Sequence, residues 1–365
     1  MTAGPAPLAL DGSHGEGGGQ ILRTALALAV TLQQPVWLSA IRARRPKPGL
    51  QPQHLTVVRA LAAISAAEVA GDYLGSTELT FAPGAVRAGD WRFDIGAIKG
   101  SAGSVPLLFQ ALLPPLLVAD GPSRLTLIGG THVPWSPPAH YLTEVYLPAL
   151  AAAGVEAEVT LRRWGWYPAG GGEITARVSP ARMLRGIEIA PPPPDAGICG
   201  LSAVSRLPRS IAERQCRRAE ERLAAAGVTA QIAVEEDQRA FGPGTVVFLA
   251  VPGRAGFTAL GRRGLPAERV AEAAADDLLM WRATGAAVDV HLADQLVSVL
   301  ALAHGRSTYT CPTISLHLRT VAWVVEQFLP ARVALHDGPP ARVEIDPGPA
   351  ESSPPLGRHE RSSAP

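Results

Sequence analysis

Three stretches of the chain share one arrangement of small, polar and apolar positions. "GEGGGQILRTALALAV", "KGSAGSVPLLFQALLPPLL" and "HLADQLVSVLALAHG" each open on a turn and run into an apolar helix. The alternating segment "WRFDIGAI" before the second and "AAVDVHL" before the third read as strands. The pattern predicts a β-then-α unit used several times, a degenerate internal repeat. A second triple glycine, in "YPAGGGEITARV", leads into a strand instead. Further on, Ile314, Leu316 and Leu318 alternate with Ser315, His317 and Arg319, which predicts a half-buried strand. Thr320 then stands where it can cap a helix whose Val321, Val324, Val325 and Phe328 share one face.

Residues 184–285 differ in texture. "IAPPPPDAG" reads as a linker or edge, and Ser210 to Glu213 as a capping box before a helix ending at Gly227. "TVVFLAV" reads as a strand, and "LPAERVAEAAADDLLMW" as a helix with Pro266 in its first turn. The prediction is an α/β protein of the α+β type. Residues 1–183 and 286–346 form a discontinuous large domain of repeated units, and 184–285 an inserted smaller α/β domain. Residues 347–365, rich in Pro and Ser, form a disordered tail.

Composition narrows the function. With 365 residues, 47% hydrophobic and 18% charged, the chain can bury a large core. A net charge of +1 argues against a protein that coats duplex nucleic acid and leaves room for a local basic cluster. Cys199, Cys216 and Cys311 are scattered and form no CxxC pair, which argues against a zinc site and for a reducing compartment. No secretory leader or membrane span is expected, so the location expected is cytoplasmic.

Candidate chemistry begins at "HGEGGGQILR". Gly17, Gly18 and Gly19 at a helix start make an anion cradle of backbone N–H groups, or else a tight turn packed on a neighbour. Glu16 before them suits a hard cation, and Arg23 follows one turn on. In "IRARRPKPGLQPQHLT", Arg42, Arg44, Arg45 and Lys47 suit phosphate oxygens, in a loop stiffened by Pro46, Pro48 and Gly49, with Gln53 and His54 beyond. His317, at a helix start beside Arg319, is a candidate nucleophile, since imidazole is largely neutral at pH 7. Pro137 and Tyr141 offer flat apolar surface to a base, and Asp294 and Gln295 open a helix.

Together "HGEGGGQILRTALALA", "RPKPGLQPQHL", "KGSAGSVPLLFQALLP", "GGTHVPWSPP", "YPAGGGEI", "HLADQLVSVLALA" and "HLRTVAWVVEQFLP" stand in the order seen in the RNA 3′-terminal phosphate cyclase family. From about Asp11 to about Ile345 the chain resembles that family. The resemblance implies repeated units, each of two helices on a four-stranded sheet, plus an inserted smaller domain. It implies a reaction in which ATP adenylates a histidine, AMP passes to an RNA 3′-phosphate, and the vicinal 2′-OH closes a 2′,3′-cyclic phosphate. His317 matches the family's nucleophile, in an H-L-x-T stretch before a helix ending E-x-F-L-P. By the same matching Glu16 is the acid for Mg²⁺ or Mn²⁺. Gly17 to Gly19, Arg23, Arg42, Arg45, Gln53 and His54 line the phosphate and RNA path. Gln110, Pro137, Tyr141, His291, Leu292, Ala293, Asp294 and Gln295 form the ATP pocket. The sequence departs from the family at His291, often aromatic there, at His132 and His140, often acidic or Asn, and at Val321, often Asn. Two rival readings are a non-catalytic RNA-binding relative, which would lack the histidine, and an enolpyruvyl-transferase-like enzyme, which shares repeated βαβ units.

Overall fold

The structure, a computed structural model, describes residues 6–348. The expected disordered tail therefore lies, beyond Gly348, outside the described residues. The first repeat runs β1 (Leu8–Asp11), α1 (Gly19–Leu32), β2 (Val36–Ser39), α2 (Pro52–Ser65), β3 (Glu68–Ala70) and β4 (Leu79–Ala82). The second runs β5 (Asp90–Asp94), α3 (Val105–Leu117) and β6 (Ser123–Gly129). It continues through α4 (Ala139–Tyr141), a π-helical stretch (Leu142–Tyr146) and α5 (Leu147–Ala151), and closes with β7 (Ala157–Arg163) and β8 (Gly172–Val178). The third opens with β9 (Glu188–Ile189) and is then interrupted. The interruption comprises β10 (Ile198–Ser205), α6 (Arg209–Ala224), β11 (Ala230–Asp237), β12 (Gly244–Val251), β13 (Ala255–Leu260) and α7 (Ala267–Thr284). The third repeat resumes with α8 (Val290–Leu300), β14 (Ser307–Cys311), α9 (Leu316–Phe328), β15 (Arg332–His336) and β16 (Ala341–Asp346).

The three repeats have one topology. Their sheets are ordered β1-β2-β4-β3, β5-β6-β8-β7 and β9-β14-β16-β15. In each, the first two strands are parallel, as a crossover helix requires, and the other pairings are antiparallel. The interrupting segment has its own sheet, β11-β10-β12-β13, under α6 and α7. Two buried clusters result: one shared by the repeats and by one face of the insert's sheet, through Leu201, Val246 and Phe248, and one inside the insert, where Val247, Leu249, Ala271 and Leu278 are fully covered. The repeated units of two helices on four strands, with a smaller insert, are as expected.

Several local expectations differ from the structure. "AAVDVHL" is not a strand: the partner of β14 is β9, which the insert separates from α8. Ala287 and Val288 instead donate to Thr310 O (3.1 and 3.0 Å), and Asp289 caps α8. Residues 314–319 are not a strand either. Ser315 caps α9 through Leu318 N–H (3.0 Å), and His317 lies in the first turn. Thr320 sits one turn inside that helix and is not its cap. Ser210 does not cap α6, which starts at Arg209 after Pro208; Glu213 pairs with Arg209 (3.2 Å). The excess of Arg and Glu in this region is a ladder between α6 and α7: Arg214–Glu268, Arg218–Glu272 and Arg222–Asp276, at 2.8, 2.7 and 2.7 Å. These pairs are solvent-exposed and fix helix register more than they stabilise.

Candidate active site

The glycine turn is set by α9. Thr320 Oγ1 accepts from Glu16 N–H (3.1 Å) and donates to Leu316 O (2.7 Å), tying the turn to the first turn of that helix. Gly17 has left-handed backbone (φ 58), Gly18 is extended, and Gly19 is the first residue of α1. No side chain caps α1, so its first N–H groups stay open to an acceptor.

One helical step on, Gln20 meets two distant residues. Its Nε2 donates to Asp294 Oδ1 (3.2 Å), and its Oε1 faces His317 Nδ1 (2.5 Å). An amide whose N–H is used by Asp294 presents only its carbonyl to His317, so Nδ1 carries the proton. Nε2 is then left with its lone pair. Burial pushes the His317 imidazole below its ordinary value, with Arg23 and Arg45 adding to the effect and Glu16 opposing it. The ring is neutral at pH 7, as a nucleophile must be.

Burial, with the nearby Asp289 carboxylate, pushes Asp294 up to about 8. Burial lowers Arg23 to about 10, and Glu16 and Asp294 oppose it, so Arg23 stays charged. Glu16 pairs with Arg45, and its Oε1 lies 4.0 Å from His317 Nδ1. His54 packs beside Gly19 and Arg23; burial and the three arginines 42, 23 and 45 hold it well below its ordinary value, and its Nδ1 has no partner.

A cavity of about 800 Å³ opens from His317, within the usual range for small-molecule sites. Gln110, Pro137, Tyr141, His291, Asp294 and Gln295 all line it. Gln110 Nε2 donates to Gln295 Oε1 (2.5 Å), joining α3 to α8. Its far wall belongs to the insert, through Phe257, Met280 and Trp281.

Not every expected residue faces this space. Leu292 and Ala293, expected in the ATP pocket, are fully buried in the core and do not line the cavity. Asp294 is in the middle of α8 and does not open it. Tyr141 is 2% exposed, and its hydroxyl donates to Asp289 (2.8 Å to Oδ2), so it braces the wall. Gln53 Oε1 accepts from Ser104 N–H (2.8 Å). Arg42, with φ 56, donates to Lys47 O and Gly49 O (2.5 and 3.0 Å), so its guanidinium closes its own loop. Arg44 donates to Gly15 O (2.9 Å) and packs over Gly17. Glu16, Arg45 and His54 stand beside the His317 end, outside the cavity lining. His132 and His140 contact each other (Nε2 to Nδ1, 3.0 Å) and stack among Trp164 and Trp166, away from the cavity.

Sequence reasoning missed Gln20 and Asp289. Asp289 caps α8, accepts from Tyr141 and also accepts from Gly256 N–H of β13 (3.0 Å), locking the insert to the third repeat. Its signal was present: an Asp directly before a helix start.

His317 in the first turn of α9, the uncapped glycine turn before α1 and a cavity of about 800 Å³ stand together. The family model of RNA 3′-terminal phosphate cyclase matches residues 14–335. The chain belongs to that family. The RNA 3′-terminal phosphate cyclase of Methylococcus capsulatus is 48% identical, covering 89% of this chain and 92% of the relative. That of Trichormus variabilis is 45% identical (87% and 93%), and that of Pyrobaculum neutrophilum 43% (92% and 97%). The cyclase family thus takes precedence over the enolpyruvyl-transferase-like reading. The solved enolpyruvyl transferase NikO from Streptomyces tendae is 13% identical with a TM-score of 0.38, covering 96% of this chain and 50% of that one, too distant to bear on function.

Among the described residues no group of three or more His, Cys, Asp and Glu is placed to hold a metal, and no helix is long and apolar enough to cross a membrane.

Proposed function

We propose that the protein converts an RNA 3′-phosphate to a 2′,3′-cyclic phosphate at the expense of ATP, through adenylate carried on His317. The observation that carries this is the Asp294–Gln20–His317 chain, which leaves Nε2 unprotonated beside the cradle.

ATP lies in the cavity, its base toward Pro137 and His291 and its phosphates toward Arg23 and the glycine turn. Nε2 of His317 attacks the α-phosphorus, the bond to pyrophosphate breaks, and a phosphoramidate forms. Gln20 accepts from Nδ1–H throughout and stabilises the positive charge that develops on the ring. The RNA 3′-phosphate then attacks the same phosphorus, and the P–N bond breaks. The neighbouring 2′-OH attacks the RNA phosphorus, and AMP leaves. Arg23, Arg45 and the N–H groups of α1 neutralise phosphate charge in each displacement.

A lone carboxylate paired with Arg45 does not fit a resident metal. It fits Mg²⁺ or Mn²⁺ that arrives with ATP and takes its other ligands from phosphate and water. Such an ion would draw charge from departing pyrophosphate, and Glu16 is the residue that would hold it. Residues 1–183 and 286–346, together with β9, are the catalytic body in this reading, and the insert from β10 to α7 closes the cavity from above the base. The location that goes with it is cytoplasmic. The test is end-labelled RNA with a 3′-phosphate: ATP should make the end resistant to phosphatase. An end that stays phosphatase-sensitive at saturating ATP and magnesium refutes the activity.

A further inference from the structure

Among the described residues, the most exposed large apolar side chain stands at the mouth of the nucleotide cavity. Trp135 is 100% exposed, and its backbone is left-handed (φ 59). A bulky aromatic residue rarely takes that conformation, and such strain gathers at ligand clamps. The loop that holds it, between β6 and α4, is stiff. Thr131 and His132 both donate from N–H to Gly165 O (2.9 and 3.0 Å), and Ala139 N–H donates back to Thr131 O (2.9 Å). Ser136 Oγ donates to Val133 O (3.1 Å), and Pro134, Pro137 and Pro138 fix further backbone angles. A rigid loop therefore presents the ring, yet at full exposure the ring packs on nothing in this chain.

Trp135, Ser136, Pro137 and Pro138 all line the cavity that opens from His317. Of the large apolar side chains exposed among the described residues, Trp135 and Met280 are the two that line it. Met280, on α7 of the insert, is 62% exposed. The rim thus carries an indole from the second repeat and a thioether from the insert. A single ring that shares a cavity suits a small flat ligand. A stable protein partner would need a broad apolar patch around it.

We propose that Trp135 covers the base of ATP and so sets the angle at which the nucleotide meets His317. The indole lies over the side of the base that Pro137 and His291 leave toward solvent. The proposal rests on the cyclase reading. An indole supplies much contact area while only two side-chain torsions are frozen, so the cover forms without movement of the loop. Burying a fully exposed ring against a flat heterocycle gives the strained backbone at residue 135 its use. Trp135 is a positioning residue and takes no part in the displacements.

The test measures AMP binding and adenylation on wild type, Trp135→Ala and Trp135→Phe. AMP affinity, read by calorimetry without turnover, should fall about 10-fold in Trp135→Ala. The ATP concentration that half-saturates adenylation should rise to match, with the rate at saturating ATP nearly unchanged. Trp135→Phe should recover most of the affinity, since the cover needs a ring and not the indole N–H. Inhibition of adenylation by inorganic tripolyphosphate, which has no base, should be the same in all three proteins. The change in tryptophan emission on adding AMP should shrink in Trp135→Phe. Wild-type AMP affinity in Trp135→Ala would overturn the cover and leave the ring to a macromolecular partner. A loss that Trp135→Phe does not recover, or an equal weakening of tripolyphosphate, would overturn it as well. AMP binding that depends on Trp135 in a protein that forms no adenylate from ATP would count against the cyclase reading alone.

Discussion

At the scale of single residues, the central feature is a proton fixed by an amide. His317 and Asp294 are legible in the sequence because their types and neighbours suggest chemistry. Gln20 is not, because a glutamine after glycines is generic and both its partners lie far along the chain. Replacing Gln20 with Leu leaves Nδ1–H without its acceptor. Loss of one such bond costs about 1–3 kcal/mol, so adenylation should slow roughly 10- to 100-fold with little change in ATP affinity. Single-turnover adenylation rates check this; an unchanged rate would leave Gln20 a packing residue. Asp294 gives a second outcome. Folded, it holds its proton to about 8; unfolded, it releases it near 4. Between these values the folded state binds the extra proton, so stability falls as pH rises. Asp294→Asn removes that linkage. Thermal unfolding should show the variant gaining on wild type from pH 5 to pH 8, on the order of 1 kcal/mol per pH unit. A constant difference across that range would mean that Asp294 is ionised in the fold.

At the scale of elements, the helices after glycine turns were legible from apolar spacing, but the start of α9 was not. A cap and the first turn of a helix can alternate apolar and polar residues as a strand does, and here Ser315, His317 and Arg319 did so. The basic loop was read as one cluster of phosphate ligands, yet Arg42 and Arg44 bond to backbone while Arg45 meets Glu16. Sequence shows the charges and not which carbonyls lie within reach. The glycines likewise divide. Gly17 needs its left-handed backbone and has Arg44 packed over it, so Gly17→Ala should cost roughly 1 kcal/mol or more in the ligand-free protein. Gly18 is extended, so Gly18→Ala adds no backbone strain; its Cβ instead meets the Glu16 carboxylate and the Arg45 guanidinium. That variant should keep near-wild-type stability and lose adenylation rate. Melting curves and labelling kinetics measured side by side check the pair, and the reverse assignment of the two effects would contradict this account of the turn.

At the scale of the whole molecule, three copies of one topology converge their helices on a single site. α1 and α2 of the first repeat bring the glycine turn and His54, α3 of the second brings Gln110, and α8 and α9 of the third bring Asp294 and His317. The repeat and the insert were legible from recurring motifs and from the change of texture near residue 184. The sheet partner of β14 was not: β9 has two residues, too few for a periodic signal, and the insert lies between them. The cavity wall formed by the insert was equally hidden, since it depends on Asp289 bonding to Gly256 across the junction. What this assembly is for can be read most directly from covalent label. The protein is incubated with magnesium and ATP labelled at the α-phosphate, and the label is mapped by residue. The account predicts one acid-labile phosphoramidate on His317 in the wild type, and none in His317→Ala or His317→Asn. Labelled adenylate persisting on either variant, or wild-type protein that never takes label, would contradict it.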